Sequence, residues 1–472
     1  MEKRTSKIAM SVIALILALL CVYYFLMDTR EAATPEAEGV ASNAADNGKS
    51  KILPFENMIP EESFEDLSSD GVELFLDNPA AASCTSESAT RVRTALINRD
   101  GIDDLAPGET MRLNLFDDFS CDAQINGSYT DVNGTKVVTG VVDTDKEKGF
   151  LYMSTSEGKT VAFVEVPTED KIFSAGTGNG MDYSIFENDR TRMDILGSVE
   201  DLISTSSIRL PDGSPIPYNP NFRPPPMNDS FSEGDASDTT IDVMFVYTQK
   251  ARLWAESSYQ GPIGNILAIA VARANTALAN SKVKARLRMV RSQEIAYNAA
   301  AENKGSTTTD LLSITFSDSI KELRDSYGAD IVTLVTASDD IGGLGWIFNG
   351  NPDFAFNVCR VKQLANSYTY AHECGHNLGC GHSKAQAGST PGYFSYSGGW
   401  QWMGTDGKGY HSVMTYGSSP YPIDAPFFSN PSISYRGRAS GDAKDANNAL
   451  TIMRLKERVS SFRASTVSPE TN

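Results

Sequence analysis

Histidine is one of the scarcest residues in this chain, with four copies in 472 residues. Positive charge is also in short supply, since 41 lysines and arginines stand against 60 aspartates and glutamates, for a formal net charge of −19. Because binding to nucleic-acid phosphates requires a basic surface, this balance argues against a nucleic-acid partner. No sequence repeat of fixed period is visible. At about 100 to 200 residues per domain, the length allows two or three domains.

One long apolar run, residues 8–27, follows the basic residues Lys3, Arg4 and Lys7 at the start of the chain. As a helix, a run of this length would span about 30 Å, the thickness of the hydrocarbon core of a bilayer. The run is longer than the apolar part of a usual signal peptide, and no small-x-small cleavage site follows closely. We therefore predict that residues 1–28 form an uncleaved signal anchor, with a cleaved signal peptide as the alternative. In both cases the rest of the chain is expected to be exported, either membrane-anchored and extracytoplasmic or secreted or periplasmic.

The composition divides the next 210 or so residues into loose and folded parts. Residues 29–60 are rich in Ala, Glu, Asn, Ser and Pro and are predicted to be a flexible stalk. Residues 61–208 contain short alternating or β-branched runs, "MRLNLF", "TKVVTGVV" and "TVAFVEV", separated by turn residues, which indicates a small β-rich domain. Residues 209–238 are rich in proline and poor in apolar side chains, so they are predicted to be a linker open to proteolysis.

From residue 239 to residue 465 predicted strands alternate with predicted helices, and 466–472 is a short tail. Buried strands are predicted at "IDVMFVY" and "DIVTLVTA", and "VKARLRMV" alternates as a half-buried strand. Apolar spacing predicts one helix over 262–280 and another from about Thr309 to Tyr327, ending at Gly328. This order indicates an α/β or α+β fold with helices packed on a mixed sheet. The short, glycine-rich "GLGWIF" is typical of an edge strand.

Three of the four histidines lie in one stretch, "TYAHECGHNLGCGHS" (369–383). His372 and His376 are four residues apart, so a helix would place both on one face, where they can share a metal ion. Glu373 lies beside the first histidine and can reach a metal-activated water, which is the position of a general base. Gly379 can adopt positive φ, end the helix and turn the chain back, so that His382 arrives as a third ligand.

Three neutral imidazoles leave one position of a tetrahedral metal open, an arrangement typical of a catalytic zinc site. The alternative is that these are ordinary helix and loop histidines. Five fixed positions in a chain so poor in histidine argue against that alternative. We predict one catalytic Zn²⁺, and the sequence leaves open whether Ca²⁺ also binds.

The segment "SVMTYG", with Met414 and Tyr416, follows the third histidine at a distance of about thirty residues. The H-E-x-x-H-x-x-G-x-x-H pattern and a downstream methionine turn together resemble the metzincin metalloendopeptidases. The residues that match are His372, Glu373, His376, Gly379, His382 and Met414. The order of strands and helices before the motif, with "FFSNPSI" after it, looks most like the bacterial reprolysin or adamalysin-like branch of that family.

The resemblance implies a metzincin-like catalytic domain over 239–465, with a mixed twisted sheet, an active-site helix and a methionine turn. It implies a zinc endopeptidase that hydrolyses peptide bonds in extracytoplasmic proteins, with Glu373 as general base. The N-terminal half is similar to the β-rich prosegments of such enzymes. Residues 61–208 are thus expected to be a prodomain, and 209–238 the activation region of a latent precursor.

The partners expected for such an enzyme are a protein or peptide substrate and, through residues 8–27, the membrane. The substrate is predicted to extend along the edge strand that contains Gly343, Leu344, Gly345 and Trp346. The protein is expected to be a monomer. Two other functions fit the same residues: a catalytically idle, zinc-stabilised binding or adhesion module, and a zinc amidohydrolase that acts on a cell-envelope substrate. The presence of Glu373 argues against the idle module, which needs no general base.

Two further residues outside the histidine motif have open interpretations. Tyr416 is a possible oxyanion or zinc-proximal residue, because a tyrosine at this point of the turn can approach the metal in related families; packing against the loop of the third histidine is the alternative. His411 is predicted to be an exposed loop residue, with a role in the substrate pocket as the alternative.

Six cysteines in an exported chain permit disulfide bonds, although their pairing cannot be deduced from sequence. Cys359 and Cys380 are the preferred pair, although Cys374 could replace either of them. A structural disulfide is the default expectation for Cys84 and Cys121.

Asp235 in the linker segment "FSEGD" is faintly similar to the prosegment aspartate that caps zinc in astacins. A solvated linker residue is the preferred interpretation of Asp235, because a polar, Pro-rich segment has little to pack against.

Overall fold

The computed structural model describes residues 72–77, 86–144, 148–177, 182–196, 201–203, 237–297, 307–387 and 392–467. All of these residues belong to one compact unit. The predicted membrane segment, the stalk, Cys84, Asp235 and nearly all of the predicted linker lie outside the described residues.

The N-terminal half of the described chain forms a ten-stranded sheet, here called the N-terminal sheet. Its strands are β1 (Val72–Glu73), β2 (Phe75–Asp77), β3 (Ala89–Ile97), β4 (Thr110–Phe116), β5 (Phe119–Thr130), β6 (Lys136–Asp143), β7 (Lys148–Ser156), β8 (Lys159–Val166), β9 (Lys171–Thr177) and β10 (Asp182–Asn188). Strands β4 to β10 follow one another as an antiparallel meander, β3 pairs with β10, and the short β1 lies parallel to β4. All three runs predicted as strands in this region do lie in strands, namely β4, β6 and β8.

A second, six-stranded sheet, here called the central sheet, contains the strands of the strand and helix alternation predicted for the C-terminal half. Its strands are β11 (Leu202–Ile203), β12 (Thr239–Tyr247), β13 (Ala285–Glu294), β14 (Ile331–Thr336), β15 (Gly343–Trp346) and β16 (Phe356–Arg360), in the order β11-β15-β16-β14-β12-β13. Strands β13, β12, β14 and β16 are parallel, β15 is antiparallel to β16, and β11 is parallel to β15. The predicted mixed sheet is therefore confirmed.

Two expectations about this sheet need correction. Strand β15 is not at the edge, because β11 pairs with its outer side. Strand β16 was not predicted from the sequence. Its residues are buried on both faces of the sheet, so polar and apolar residues do not alternate along the strand.

Helices cover both faces of the central sheet. They are α1 (Arg99–Asp103), α2 (Gln249–Tyr259), α3 (Ile263–Asn280), α4 (Thr307–Phe316), α5 (Asp318–Tyr327), α6 (Val361–Asn366), α7 (Thr369–Asn377), α8 (Lys384–Ala387) and α9 (Asn448–Val459), with α1 belonging to the N-terminal sheet. Short 3-10 turns lie at Pro167–Glu169, Arg190–Arg192 and Pro352–Phe354. The single helix predicted over 309–327 is wrong. Ser317 separates α4 from α5, because its hydroxyl accepts a hydrogen bond from the backbone N–H of Ile320 and caps α5.

Helix α3 joins the two sheets into one structure. It contacts β7 of the N-terminal sheet and β13 of the central sheet, and nearly all of its side chains are buried. Because side chains alternate along a strand, Tyr152 and Phe163 point from the N-terminal sheet into the core around α3, whereas Leu151 and Val164 point into a separate core on the other face. The hydrophobic core around the histidine motif therefore continues into the N-terminal sheet.

Two small sheets follow the histidine motif in the chain. Strands β17 (Gln401–Met403), β18 (Gly409–His411) and β19 (Ile423–Asp424) form a three-stranded sheet, and β20 (Ser434–Tyr435) pairs with β21 (Arg438–Ala439). Among the described residues, no single helix has the length and apolar character to cross a membrane. In the described part of the chain, one bent pair of helices, α2 and α3 at 89° to each other, reaches that length and composition together.

Candidate active site and metal centre

The imidazole nitrogens of the three motif histidines lie close together. His372 and His376 lie on helix α7, and their ring centroids are 4.8 Å apart. The helix ends at Leu378, and Gly379 follows with φ of +88°, where a β-carbon would come within 2.6 Å of Leu455. The chain then turns back, so that Nε2 of His382 lies 3.0 Å from Nε2 of His372.

Backbone carbonyls fix the orientation of two of these rings. Nδ1–H of His372 donates to the carbonyl of Val413 (2.7 Å), and Nδ1–H of His376 donates to the carbonyl of Cys380 (3.0 Å). The protons are therefore on Nδ1, and both Nε2 atoms are left as lone-pair donors for a metal. Burial lowers the pKa of His376 to about 4 and also lowers the pKa of His382, so these rings are neutral and able to bind a metal.

A fourth donor, Asp201, comes from the segment that follows the N-terminal sheet. Its carboxylate oxygens lie 2.8 Å from Nε2 of His382, 3.4 Å from Nε2 of His372 and 3.6 Å from Nε2 of His376. Burial alone would raise the pKa of this carboxyl. The three neighbouring histidines, His372 above all, instead hold the pKa of Asp201 well below its usual range.

The donor set fits a tetrahedral zinc ion. Zinc–nitrogen bonds of about 2.0 to 2.1 Å place tetrahedral ligand atoms about 3.3 Å from one another. The measured separations of 2.8 to 3.6 Å lie around that value. In addition, Nε2 of His376 and Oδ1 of Asp201 are buried polar atoms without a hydrogen-bond partner among the described residues, as expected for atoms that serve a metal.

Glu373 is packed between helix α7 and strand β15. The side chain is buried, and its Oε2 atom has no hydrogen-bond partner in the described part of the chain. Burial, followed by the charge of Asp201, raises the pKa of Glu373 well above its usual range. The glycine at position 343 makes this packing possible, because a β-carbon there would lie 2.3 Å from Oε1 of Glu373.

The methionine turn lies below the helix. The sulfur of Met414 is fully buried and packs against Gly375 of α7. Two residues further on, the Tyr416 hydroxyl is 3.3 Å from Nε2 of His372. Gln386 of α8 holds the backbone of Tyr416 through two hydrogen bonds, one from the Tyr416 N–H (3.1 Å) and one to its carbonyl (2.8 Å). The phenol is thus fixed beside the histidine cluster.

The predicted substrate strand is already covered. Residues Gly345 and Trp346 of β15 pair with Leu202 and Ile203 of β11, and the N–H of Gly345 donates to the carbonyl of Asp201 (3.0 Å). Residues 201–203 therefore place the Asp201 carboxylate among the histidines and strand β11 along β15. Sequence analysis missed Asp201, because nothing in its neighbourhood distinguishes it from the other 59 acidic residues.

A cavity of about 370 Å³ opens beside the three histidines and Asp201. Its lining includes Glu373, Tyr416, His411, Asp424 and Arg190. The prediction that His411 is an exposed loop residue is wrong, because His411 is buried in strand β18 with Nε2 3.0 Å from Oδ1 of Asp424. A strand of only three residues, Gly409–His411, is too short to be recognised from an alternation of polar and apolar residues.

The predicted disulfide between Cys359 and Cys380 is also wrong. Cys121, Cys359, Cys374 and Cys380 are all buried free thiols. The Cys359 thiol contacts Oδ1 of Asn357, while the Cys380 thiol contacts the carbonyl of Asn448, so the two side chains have different neighbours in the core. Burial raises the pKa of Cys121 and Cys374 to about 12, which makes them unreactive thiols.

Three histidines, a buried glutamate and a methionine turn thus lie together on an α+β fold, in the arrangement expected from the metzincin resemblance. Residues 266–383 match the model of the metallo-peptidase family M12B described as reprolysin-like. This stretch is thus similar to reprolysin-like metallo-peptidases, and the predicted resemblance is confirmed.

Proteins named peptidyl-Asp metalloendopeptidase are similar to this chain. The one from Stenotrophomonas maltophilia (strain K279a) is 28% identical over 281 residues, which cover 58% of this chain and 65% of that protein. The one from Xanthomonas campestris pv. campestris is 29% identical over 56% of this chain and 62% of that protein. The matched region thus spans a little under two thirds of these two relatives. A solved structure titled "Structure of a chaperone-substrate complex" overlaps 48% of this chain and 35% of that chain, with 20% identity and a TM-score of 0.38.

Proposed function

We propose that this chain is the latent precursor of a zinc-dependent endopeptidase. The observation that carries the proposal is the convergence of three imidazole Nε2 atoms with the Glu373 carboxylate at the wall of an open cavity. The Glu373 carboxylate beside these atoms distinguishes the arrangement from a purely structural zinc site, which has no need of a general base. The names of the relatives support hydrolysis of peptide bonds.

His372, His376 and His382 would hold the zinc ion, which would supply Lewis-acid activation of water and of the scissile carbonyl. Glu373 accepts the proton of the attacking water and delivers it to the leaving amine. Its raised pKa suits a group that has to take up a proton and give it away again. Tyr416 donates its phenol hydrogen to the carbonyl oxygen as that oxygen becomes negative.

The proposed latency is based on the positions of Asp201 and strand β11 in this site. Asp201 lies where the activated water would have to be, 2.8 Å from His382, and β11 lies along the strand that a substrate would use. A substrate can bind only when both are displaced. Cleavage between about residues 211 and 240 would separate Asp201 from the motif region and allow that displacement.

The substrates are proposed to be proteins or peptides outside the cytoplasm. This part of the proposal rests on the apolar run at 8–27 and its basic flank, which predict export of everything that follows. The enzyme would then act as a membrane-anchored or a secreted protease.

Peptide cleavage before and after limited proteolysis tests the proposal. Purified protein covering residues 29–472 is incubated with a peptide mixture, both intact and after cleavage within 209–238. We expect slow cleavage by the intact form and fast cleavage by the processed form, and none by Glu373→Ala with its zinc retained. Equal rates for intact and processed protein would contradict latency, and full activity in Glu373→Ala would assign the base elsewhere.

A readout independent of turnover tests Asp201 as the blocking ligand. Asp201→Ala in the intact protein with cobalt in place of zinc should change the visible absorption spectrum, because a carboxylate ligand is replaced. Asp194→Ala is the matched control, since Asp194 lies in the same segment but pairs with Arg360 and Lys362 away from the metal. An unchanged spectrum for Asp201→Ala would remove Asp201 from the metal.

A further inference from the structure

One face of the N-terminal sheet lies inside the hydrophobic core of the C-terminal half. Apolar side chains of β6, β7 and β8 share one cluster with helix α3 and with strands β12 and β14 of the central sheet; they are Val137, Phe150, Tyr152, Val161 and Phe163. Each of the five is at most 2% exposed. Of the 18 residues of α3, 16 are buried, in part by β7. Loss of the N-terminal sheet would therefore expose apolar surface on both partners to water.

Buried polar contacts cross the same interface. The guanidinium carbon of Arg273 on α3 lies 5.2 Å from the ring centroid of Tyr152 and 4.8 Å from that of Phe163. Nη2 of Arg273 also donates to Oε1 of Glu165 on β8 (2.6 Å). The side-chain amide of Asn265, another buried residue of α3, donates to a backbone carbonyl of β8 (3.0 Å). Separation of the two halves would break all of these contacts at once, and a buried ion pair is costly to break.

The N-terminal sheet also has a core of its own. Its other face contributes Leu151 and Val164 to a second cluster, which is filled by residues of the N-terminal half. The two ends of the sheet meet at Leu74, whose N–H donates to the carbonyl of Arg112 (3.0 Å) and whose carbonyl accepts from the N–H of Asn98 (2.9 Å). The predicted linker begins after these strands. Its cleavage therefore breaks none of the contacts inside the sheet or between the sheet and α3.

The segment that follows β10 is held to the C-terminal half by contacts of another kind. We call residues 189–196 and 201–203 the strap. Arg190 is paired with Asp424 across the cavity, and their side chains are 23% and 29% exposed. Asp194, whose side chain is 48% exposed, pairs with two cations of the C-terminal half. Partly exposed ion pairs contribute little, because water competes for both charges.

We infer that cleavage of the linker frees the strap but leaves the N-terminal sheet in place, so that the mature enzyme is a complex of two chains. The partner bound to the surface of α3 in that complex is the N-terminal sheet of the same molecule. Asp201 leaves the histidines with the strap, since water can take the fourth position at a catalytic zinc ion. This inference rests on the proposed function for the role of the cleavage, whereas retention of the sheet is measured without turnover.

The size of the cut protein tests the inference. Zinc-loaded protein covering residues 29–472 is cut within 209–238, and denaturing electrophoresis confirms that every chain is cut. Size-exclusion chromatography is then run at micromolar and at nanomolar concentration. We expect both fragments in one peak at the elution volume of the uncut protein. In the cobalt-substituted protein, cutting should change the visible absorption spectrum, because the Asp201 carboxylate is lost while the sheet stays.

The variant Phe163→Ala removes one ring from the interface. It should raise the dissociation constant of the two fragments by at least about 100-fold, the usual consequence of deleting a phenylalanine side chain from a core. Val92→Ala is the control, because Val92 lies on β3 of the same sheet, is 37% exposed and is outside the shared cluster. This control should leave the dissociation constant unchanged.

Two results would overturn the inference. One is that the wild-type fragments elute separately at micromolar concentration, or that one of them precipitates after cutting. The other is a cut complex whose cobalt spectrum equals that of the uncut protein, since the strap would then still be bound. The wild-type result is decisive even if Phe163→Ala fails to fold. A cut, zinc-loaded complex that has lost Asp201 from the metal but cleaves no peptide would instead contradict the proposed endopeptidase function, so the two failures are distinguishable.

Discussion

Oδ1 of Asp201 lies 2.8 Å from Nε2 of His382, although the two residues belong to opposite halves of the chain. Asp201 follows the N-terminal sheet, whereas His382 completes the motif that begins on helix α7. Their contact makes the metal centre a junction between the two halves. Under the proposed maturation, the four protein donors of the intact chain would become three once the N-terminal region leaves.

Removal of one histidine should empty the metal site. We expect purified wild-type protein to contain one equivalent of zinc and His376→Ala to lose nearly all of it during dialysis, because the three remaining donors have to compete with water. Elemental analysis after dialysis measures the stoichiometry. His411→Ala is the control, since His411 is bonded to Asp424 and should keep the full equivalent. Full zinc content in His376→Ala would show that the metal is bound elsewhere.

The metal-ligand motif could be predicted from sequence because its geometry is local. Four-residue spacing on a helix places His372 and His376 together, and one glycine, Gly379, brings His382 back. Asp201 could not be predicted, because its position depends on the packing of one sheet against another. The same holds for Arg190, His411 and Asp424, which three separate elements bring to one cavity.

The fold was predictable where residues alternate or repeat with a helical period. Strands β12 and β14 and helix α3 are long or strongly apolar enough to be detected. Strand β16 is buried on both faces and gives no alternation. The pairing of β11 with β15 joins distant parts of the chain, and no local pattern encodes such a partner.

Gly343→Ala should lower turnover strongly, although residue 343 is not one of the proposed zinc ligands. In Gly343→Ala the new β-carbon would lie 2.3 Å from Oε1 and 2.8 Å from Cδ of Glu373, so the base has to move. We expect turnover to fall by about 100-fold, the typical cost of a displacement of about 1 Å, with zinc content preserved. Gly264→Ala is the control, because its β-carbon would have 3.5 Å of clearance. Unchanged turnover in Gly343→Ala would show that Glu373 tolerates displacement.

A buried ion pair should couple the stability of the two sheets. Nη2 of Arg273 on α3 donates to Oε1 of Glu165 on β8 (2.6 Å), and Arg273 is only 1% exposed. Arg273→Ala should lower the free energy of unfolding by about 3 to 5 kcal/mol, because it leaves a buried carboxylate unpaired.

Urea unfolding of the intact chain measures this effect. The control Arg252→Ala breaks the more exposed pair with Glu256 and should cost less than about 1 kcal/mol. A small effect of Arg273→Ala, or two separate unfolding transitions in the wild type, would show that the sheets are energetically independent.

The last prediction concerns the Tyr416 hydroxyl, which lies 3.3 Å from Nε2 of His372. The backbone of Tyr416 donates one hydrogen bond to the Gln386 side chain and accepts another from it. A donor aimed at a developing oxyanion typically contributes about 100- to 1000-fold to turnover. Tyr416→Phe should therefore lower kcat by about that factor, while KM, zinc content and melting temperature stay close to wild type, because the bond forms mainly in the transition state. Steady-state kinetics with processed enzyme measures both constants, and Tyr421→Phe serves as a control in the same loop. If Tyr416 has only a packing role, kcat will stay within a few-fold of wild type and any loss will follow a lower melting temperature.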